Sequence, residues 1–304
     1  MKFSIFQASR QGGRRYNQDR LAYAYSRDSL LMVVADGMGG HFHGELAAQI
    51  AVQMLADTFR QQLAPGLPSP PEFLHDGLLN AHHAINDYAI AHNLSEVPRT
   101  TCVACVVQDN HVYWGHAGDS RLYYFRDGKP LYRTRDHSLV QQLFEQGRIS
   151  AAQMATHPER NKIYSCLGGE NHPEVELSQE VALRDNDILL LCSDGLWGQL
   201  EIGEISAILD SFPLATALPQ LMDHAELRGG EKGDNLSAIA LRWGDEHRFF
   251  ADRAISAATV PLGTSFTSLE TFHASTGQGP EIEEAVIEIQ AIIAKYTKKK
   301  AKPK

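Results

Sequence analysis

The chain of 304 residues is short of cysteine, of basic surplus and of long apolar runs, and each shortage removes a class of function. Four cysteines, Cys102, Cys105, Cys166 and Cys192, are too few and too scattered for a disulfide framework. Only Cys102 and Cys105 have the C-x-x-C spacing of a metal clip. They lie in the β-branched run TTCVACVV, where a strand would turn their side chains to opposite faces. Buried thiols are expected there, not a zinc knuckle. No stretch reaches the roughly 18 uncharged apolar residues of a membrane span. The opening MKFSIFQASRQGGRRYNQD has no sustained apolar core and turns basic early, so a cytoplasmic protein is expected rather than a secreted one. A net charge of −9 disfavours nucleic acid as the main partner, because a phosphate backbone demands a basic face. What is present, 43% hydrophobic and 21% charged residues, is ordinary usage for a globular chain with a sizeable core.

Apolar runs at residues 3–9, 20–26, 29–35, 101–108, 111–117, 121–126, 188–193 and 236–243 predict strands. Helical spacing begins after Gly44, where ELAAQIAVQMLADTFRQQL sets Leu46, Ile50, Met54 and Leu55 on one side. The Pro-rich PGLPSPP interrupts it, and a second helix is expected through about residue 91. Further helices are expected at 138–147 and, as a pair, over about 202–227. Strands come first and last with paired helices between, and many are joined by tight turns. That order predicts an α+β fold with largely antiparallel sheets covered by helices. The division expected is a catalytic domain over 1–245 and an appendage over 246–304. Residues 245–280 read as linker or surface wrap. EIEEAVIEIQAIIAKY then places Ile282, Val286, Ile289 and Ile293 at helical spacing, with acids early and lysines late. An amphipathic helix over 281–297, docked on the domain or a partner, is the expectation, and KKKAKPK reads as a solvated tail.

Aspartates recur where strands end. Asp36 follows LLMVVA, Asp194 follows ILLLCS, Asp119 sits in HAGDSR, Asp234 in GGEKGDN, and Asp19 in NQDR. Each alone could form a turn, cap a helix or bind an ion. Turns do not explain a buried run followed by Asp-Gly twice over. Packed strands bring their ends together, and clustered carboxylates repel unless a cation sits among them. Oxygen-only ligands favour hard ions, Mg²⁺ or Mn²⁺, over zinc. The GMGG cluster has no following Gly-Lys-Ser/Thr, so it reads as a flexible turn and not as a nucleotide loop.

RRYNQD, VVADGMGG with HGE after it, HAGDSRLY, DHSLV, LCSDGLW and GDNLSAI resemble, in order, the motifs of the metal-dependent serine/threonine protein phosphatases, the PPM or type 2C family, in a bacterial version. The resemblance covers residues 1 to about 245. It implies a four-layer α-β-β-α sandwich with two mainly antiparallel sheets and a two-metal centre between them. It implies that Asp36 bridges two ions, Gly37 offers its carbonyl, Asp194 and Asp234 hold the first ion, and Asp19 acts through water. Asp119 would help hold a third, weaker ion, and Arg14 would clamp substrate phosphate, with Arg15 facing solvent. The cofactor implied is Mn²⁺ or Mg²⁺. The reaction implied is hydrolysis of phosphoserine and phosphothreonine in phosphorylated proteins by a metal-activated water, without a phosphoenzyme, opposing a serine/threonine kinase.

Two positions depart from the family pattern. Gln18 stands where the family often has glutamate, which removes a charge near the second ion. Met38 stands where eukaryotic members carry a histidine proposed to protonate the leaving group. His41 and His43 lie nearby in sequence, and water is an equal candidate for that proton. Neither Cys166 nor Cys192 is followed by arginine at C-x₅-R spacing, so a cysteine nucleophile is not expected. Residues 144–163, polar and loop-rich, correspond to the family's variable flap and are expected to set substrate preference. Two other functions fit the same motifs: a catalytically weak relative that binds phosphoproteins, and a hydrolase of small phosphoesters.

Overall fold

Every apolar run expected as a strand forms one, and the strands assemble into two antiparallel sheets. The computed structural model describes residues 1–38, 43–62, 66–244, 263–266, 290–292 and 294–296. Its strands are β1 (Phe3–Arg10), β2 (Asp19–Tyr25), β3 (Ser29–Met38), β4 (Arg99–Thr100), β5 (Cys102–Gln108), β6 (His111–Ala117), β7 (Arg121–Arg126) and β8 (Lys129–Arg133), followed by β9 (Glu176–Leu177), β10 (Val181–Ala182), β11 (Ile188–Cys192), β12 (Leu236–Trp243) and β13 (Gly263–Phe266). The helices are α1 (His43–Gln62), α2 (Pro70–Ala91), α3 (Leu139–Glu145), α4 (Ala151–Met154), α5 (Asp194–Trp197), α6 (Ile202–Ser211) and α7 (Leu214–Gly229). One sheet runs β1-β12-β11-β7-β8. The other runs β10-β6-β5-β3-β2-β13, with β4 beside β3 and β9 beside β6.

Three apolar cores separate four layers, and strand alternation explains why. Successive side chains of a strand face opposite ways, so a run buried on both faces can serve two cores. In β3, Leu31, Val33 and Ala35 pack with Ile50, Met54 and Leu55 of α1 and Leu74, Leu78 and Ile85 of α2. Leu30, Met32 and Val34 of the same strand face the other sheet, meeting Leu189, Leu191, Ile239 and Leu241. The outer face of that second sheet, through Leu190, Ala238 and Ala240, is covered by Ile205 and Leu209 of α6 and Leu218, Leu221 and Met222 of α7. The order is therefore helix, sheet, sheet, helix. Cys102 lies in the first core and Cys105 in the second, on opposite faces of β5, as the spacing predicts.

Several boundaries differ from expectation. Asp36 and Gly37 do not form a turn: β3 continues through Met38 because β4 pairs with it, Gly37 opposite Thr100 and Met38 opposite Arg99. Gly39 and Gly40, expected as a flexible turn, lie outside the described residues. The edge strand β8, KPLYR, exposed along its length, has no apolar alternation to announce it and carries Pro130, which edge strands tolerate. Asp127 and Gly128 join it to β7, both with positive φ as a tight hairpin needs. Within the expected linker, Gly263–Phe266 pairs with Ala22–Tyr25 at the sheet edge. Of the expected helix over 281–297, residues 290–292 and 294–296 are helical, and the rest lies outside the described residues, as does the KKKAKPK tail.

Candidate metal centre and active site

Five aspartates from distant parts of the chain meet at one end of the paired sheets. Asp19 opens β2 and is the antiparallel register partner of Asp36 in β3. The carbonyl of Asp36 accepts from the Thr101 amide at 2.9 Å and the Thr100 hydroxyl at 2.9 Å, which pins the end of β3 to the neighbouring chain. Asp194 begins α5 directly after β11, with Ser193 as its N-cap residue. The Ser193 hydroxyl donates to Asp19 Oδ2 at 2.7 Å and accepts from the Ser237 amide at 3.0 Å, so one serine joins β2, β11 and β12. Asp234 immediately precedes β12, and Asp119 lies in the bend between β6 and β7.

The electrostatics follow from that convergence. Burial, and then the charges of Asp19, Asp194, Asp119 and Asp234, push the Asp36 carboxyl well above its usual range. Asp194 is raised by burial and then by Asp119, Asp234 and Asp19. Burial raises Asp19 to about 6, with Asp234 adding to it and the Ser193 hydroxyl opposing it. Asp119 reaches about 7, through burial and then Asp136, with Arg121 opposing. Oδ1 of Asp19 and Oδ1 of Asp194 are buried with no hydrogen-bond partner. Orphaned carboxylate oxygens among like charges fit a divalent cation, whose coordination would satisfy the lone pairs and remove the repulsion together.

The neighbours of this cluster are shaped around it. A Cβ on Gly37 would lie 2.2 Å from the Gly44 carbonyl oxygen and 2.8 Å from that of Gln18, so three backbone segments touch where no side chain fits. The Gln18 amide hydrogen goes to Asn235 Oδ1 at 2.9 Å, and its side-chain Nε2 lies against Gly44 at the start of α1. Arg14 reaches the cluster from the loop after β1 and donates to Asp234 Oδ2 at 2.6 Å. Its side chain stays 57% exposed, open to an incoming anion. Arg15 is exposed beside the Tyr16 ring. His41 and the side chain of His43 lie outside the described residues.

Some supporting residues were not singled out from sequence. Asn235 donates to the carbonyls of Gln11 at 2.7 Å and Tyr16 at 2.9 Å, tying the Arg14 loop to the start of β12. Arg121 forms a bidentate pair with Asp136, at 2.8 and 2.6 Å, and stacks 3.4 Å over the Trp197 ring. Trp197 Nε1 donates to the Asp119 carbonyl at 3.0 Å, linking α5 to the Asp119 bend. The signal for these lay in the residues flanking the aspartates, Ser-Asp and Asp-Asn, which read equally well as turn chemistry. The buried thiols of Cys102, Cys105 and Cys192 are pushed far up by burial and are no nucleophiles at neutral pH.

Residues 7–228 match the protein phosphatase 2C family. The chain is 31% identical over 240 residues to the serine/threonine phosphatase stp of Listeria monocytogenes, covering 77% of this chain and 93% of that one. The serine/threonine phosphatase PstP of Mycobacterium tuberculosis superposes with a TM-score of 0.68 at 30% identity, covering 80% of this chain and 99% of that structure. The catalytic domain of PstP solved with two manganese ions gives a TM-score of 0.67 at 29% identity, over 79% of this chain and 98% of that one. With six motifs in order, a four-layer fold and an acidic cluster at the sheet ends, this chain belongs to the protein phosphatase 2C family of metal-dependent serine/threonine protein phosphatases.

Proposed function

We propose that this chain removes phosphate from phosphoserine and phosphothreonine of other proteins in the cytoplasm, using two divalent ions held by Asp19, Asp36, the Gly37 carbonyl, Asp194 and Asp234. The observation that carries this is the convergence of those aspartates, with orphaned oxygens on Asp19 and Asp194. Asp119, joined to the same field of charge, is the side chain proposed to help hold a third, weaker ion. Mn²⁺ or Mg²⁺ bound there would supply a nucleophilic water and counter-charge for displacement at phosphorus, with no phosphoenzyme.

The chain's own groups do the rest. Arg14 exchanges Asp234 for two non-bridging phosphate oxygens, a match for its planar fork. Asp36, held by Thr100 and Thr101, keeps its place as substrate arrives. Met38 offers no titratable proton, which leaves water, His41 or His43 to protonate the leaving alkoxide. Residues 144–163, which include the short helix α4 capped by Ser150 and Gln153, carry the exposed polar surface we assign to substrate preference. Exchange of this segment for a relative's should change the ranking of phosphopeptides, and an unchanged ranking would remove that role. A serine/threonine kinase acting on the same proteins is the expected opponent. No helix among the described residues is long and apolar enough to cross a membrane.

The deciding assay is Mn²⁺-dependent hydrolysis of a phosphothreonine peptide and of p-nitrophenyl phosphate, with chelator and Asp36→Asn controls. Peptide turnover abolished by both controls is the expected result. Turnover of the small ester alone would point to a small-phosphoester hydrolase. Peptide binding without turnover would make the chain a phosphoprotein-binding relative.

A further inference from the structure

Beside the Asp119 bend lies a second polar cluster that the phosphatase chemistry does not use. His116, near the end of β6, and Glu176, which opens β9, are direct cross-strand partners. His137, from the loop between β8 and α3, lays its ring against that of His116, with centroids 4.6 Å apart and planes at 29°. One ligand atom from each of the three residues lies within 4.8 Å of the other two. His137 Nε2 and Glu176 Oε2 are 3.7 Å apart, too far for a hydrogen bond. Both imidazoles are fully buried, while a third of the Glu176 side chain reaches solvent.

The hydrogen bonds around the rings fix their protons. His116 Nε2 is 2.7 Å from the Arg135 carbonyl oxygen, which only accepts, so Nε2 carries the proton and Nδ1 a lone pair. That Nδ1 is buried and has no hydrogen-bond partner. A ring nitrogen on a backbone carbonyl with the other left bare is the arrangement that orients metal-binding histidines. His137 Nδ1 accepts from the Gly118 amide at 3.2 Å, which leaves the proton on Nε2, also buried and without a hydrogen-bond partner. A buried polar atom left without a partner loses its hydration and gains nothing in return. Two of them facing one carboxylate are better explained by something they hold.

We propose that His116 Nδ1, His137 Nε2 and the Glu176 carboxylate form a site for one transition-metal ion of the zinc class, separate from the aspartate centre. Two imidazoles and one carboxylate favour Zn²⁺, Co²⁺ or Ni²⁺ over Mg²⁺, which prefers oxygen alone. Ligand distances of about 2.0–2.2 Å put tetrahedral ligand atoms roughly 3.4 Å apart, so the three atoms must close from separations of up to 4.8 Å, with the part-exposed Glu176 making most of the movement. The exposed side also gives an entry path and leaves a fourth position for water. On binding, the His137 proton passes from Nε2 to Nδ1; that N–H and the Gly118 N–H, both donors, then face each other, so the ring and the amide must move apart. The bond from the His137 amide to the Gly118 carbonyl, 3.0 Å, remains. Gly118 has φ +110, and a Cβ there would strike Thr101 at 2.5 Å, so this is a tightly fitted neighbour of Asp119. A filled site would therefore alter the hold on the residue next to Asp119.

The test uses the full chain carrying Asp36→Asn and Asp194→Asn, titrated with Co²⁺ and followed by visible absorption. One equivalent should produce the ligand-field band of a low-coordinate nitrogen-containing site, displaced by Zn²⁺ and not by excess Mg²⁺. Glu176→Gln and His116→Gln should each weaken Co²⁺ affinity at least about tenfold, in line with the weight of ligand-set changes. No band, or the same affinity in Glu176→Gln, would overturn the site. Should the buried histidine variant lose its fold by circular dichroism, the part-exposed Glu176→Gln decides alone. Surface histidines elsewhere would bind ions equally in both proteins and so give the overturning result.

Discussion

At the scale of single residues, the aspartate cluster predicts an unusual dependence of stability on pH. For Asp19 and Asp119 the folded-state values, about 6 and about 7, lie above the ordinary 3.8. Between the two values the folded protein binds more protons than the unfolded chain, so unfolding free energy falls as pH rises. The penalty is absent below the ordinary carboxylate value and complete above the folded one. Metal-stripped protein should melt progressively lower from pH 4 to pH 7.5, and saturating Mn²⁺ should flatten the slope. Differential scanning fluorimetry with and without chelator reads both. Asp36→Asn removes one of the crowded charges and should raise the melting point of the stripped protein while abolishing turnover, with about 2–4 °C expected per kcal/mol gained. A melting point that falls in the asparagine variant would mean that the repulsion is not the dominant local force. Arg14 behaves differently because it is exposed: Arg14→Ala should change stability by less than about 1 kcal/mol. It should nevertheless lower kcat/KM on phosphopeptide about tenfold to a hundredfold, the worth of one charged hydrogen-bonding contact. Arg14→Lys should recover part of that loss but not the bidentate geometry.

At the scale of elements, Arg121 shows how strand, loop and helix are joined. It lies on β7, grips Asp136 from the loop, and covers Trp197 of α5, whose indole holds the Asp119 carbonyl. Arg121→Ala leaves Asp136 buried without its partner and should cost about 3–5 kcal/mol in urea unfolding, the range for breaking a buried ion pair on one side. The double variant Arg121→Ala with Asp136→Ala should recover part of it. The major strands and helices were legible in the sequence because their apolar residues repeat at the right period over long runs. Asp19, Asp36, Asp194 and Asp234 were legible because each abuts such a run or the motif beside it. Gly37 and Met38, which open the cluster expected as a turn, instead extend β3, because the two-residue β4 that pairs with them carries no pattern of its own. Arg121, Trp197 and Asn235 escaped because their value lies in partners far along the chain. His116 and His137 escaped because the stacking of two distant rings has no local signature.

At the scale of the whole molecule, the described part of the C-terminal segment touches the catalytic domain. Lys295 Nζ pairs with Asp87 of α2 at 2.6 Å, and the Tyr296 hydroxyl donates to the same carboxylate at 2.7 Å. Ile292 and Tyr296 pack against the core between α1, α2 and the sheet. The described helical residues 290–292 and 294–296 thus dock on the domain, and the rest of the expected helix over 281–297 lies outside the described residues. Deletion of residues 281–304 should then lower stability by about 1–3 kcal/mol, the scale of burying one or two apolar side chains, and leave peptide turnover unchanged. Urea unfolding of the truncated chain checks this, and identical curves would leave the segment without a structural role.

The pairing of β1 with β12 carries one more consequence. Phe3 lies opposite Trp243 and Arg10 opposite Leu236, so β1 finds its neighbour far along the chain. β12 also sits between β1 and β11, and Asp234 leads into it. Until β12 is in place, β1 has no strand to pair with in its sheet. A chain cut before Asp234 therefore lacks both a carboxylate of the acidic cluster and the partner strand of β1, and it has no assembled catalytic pocket.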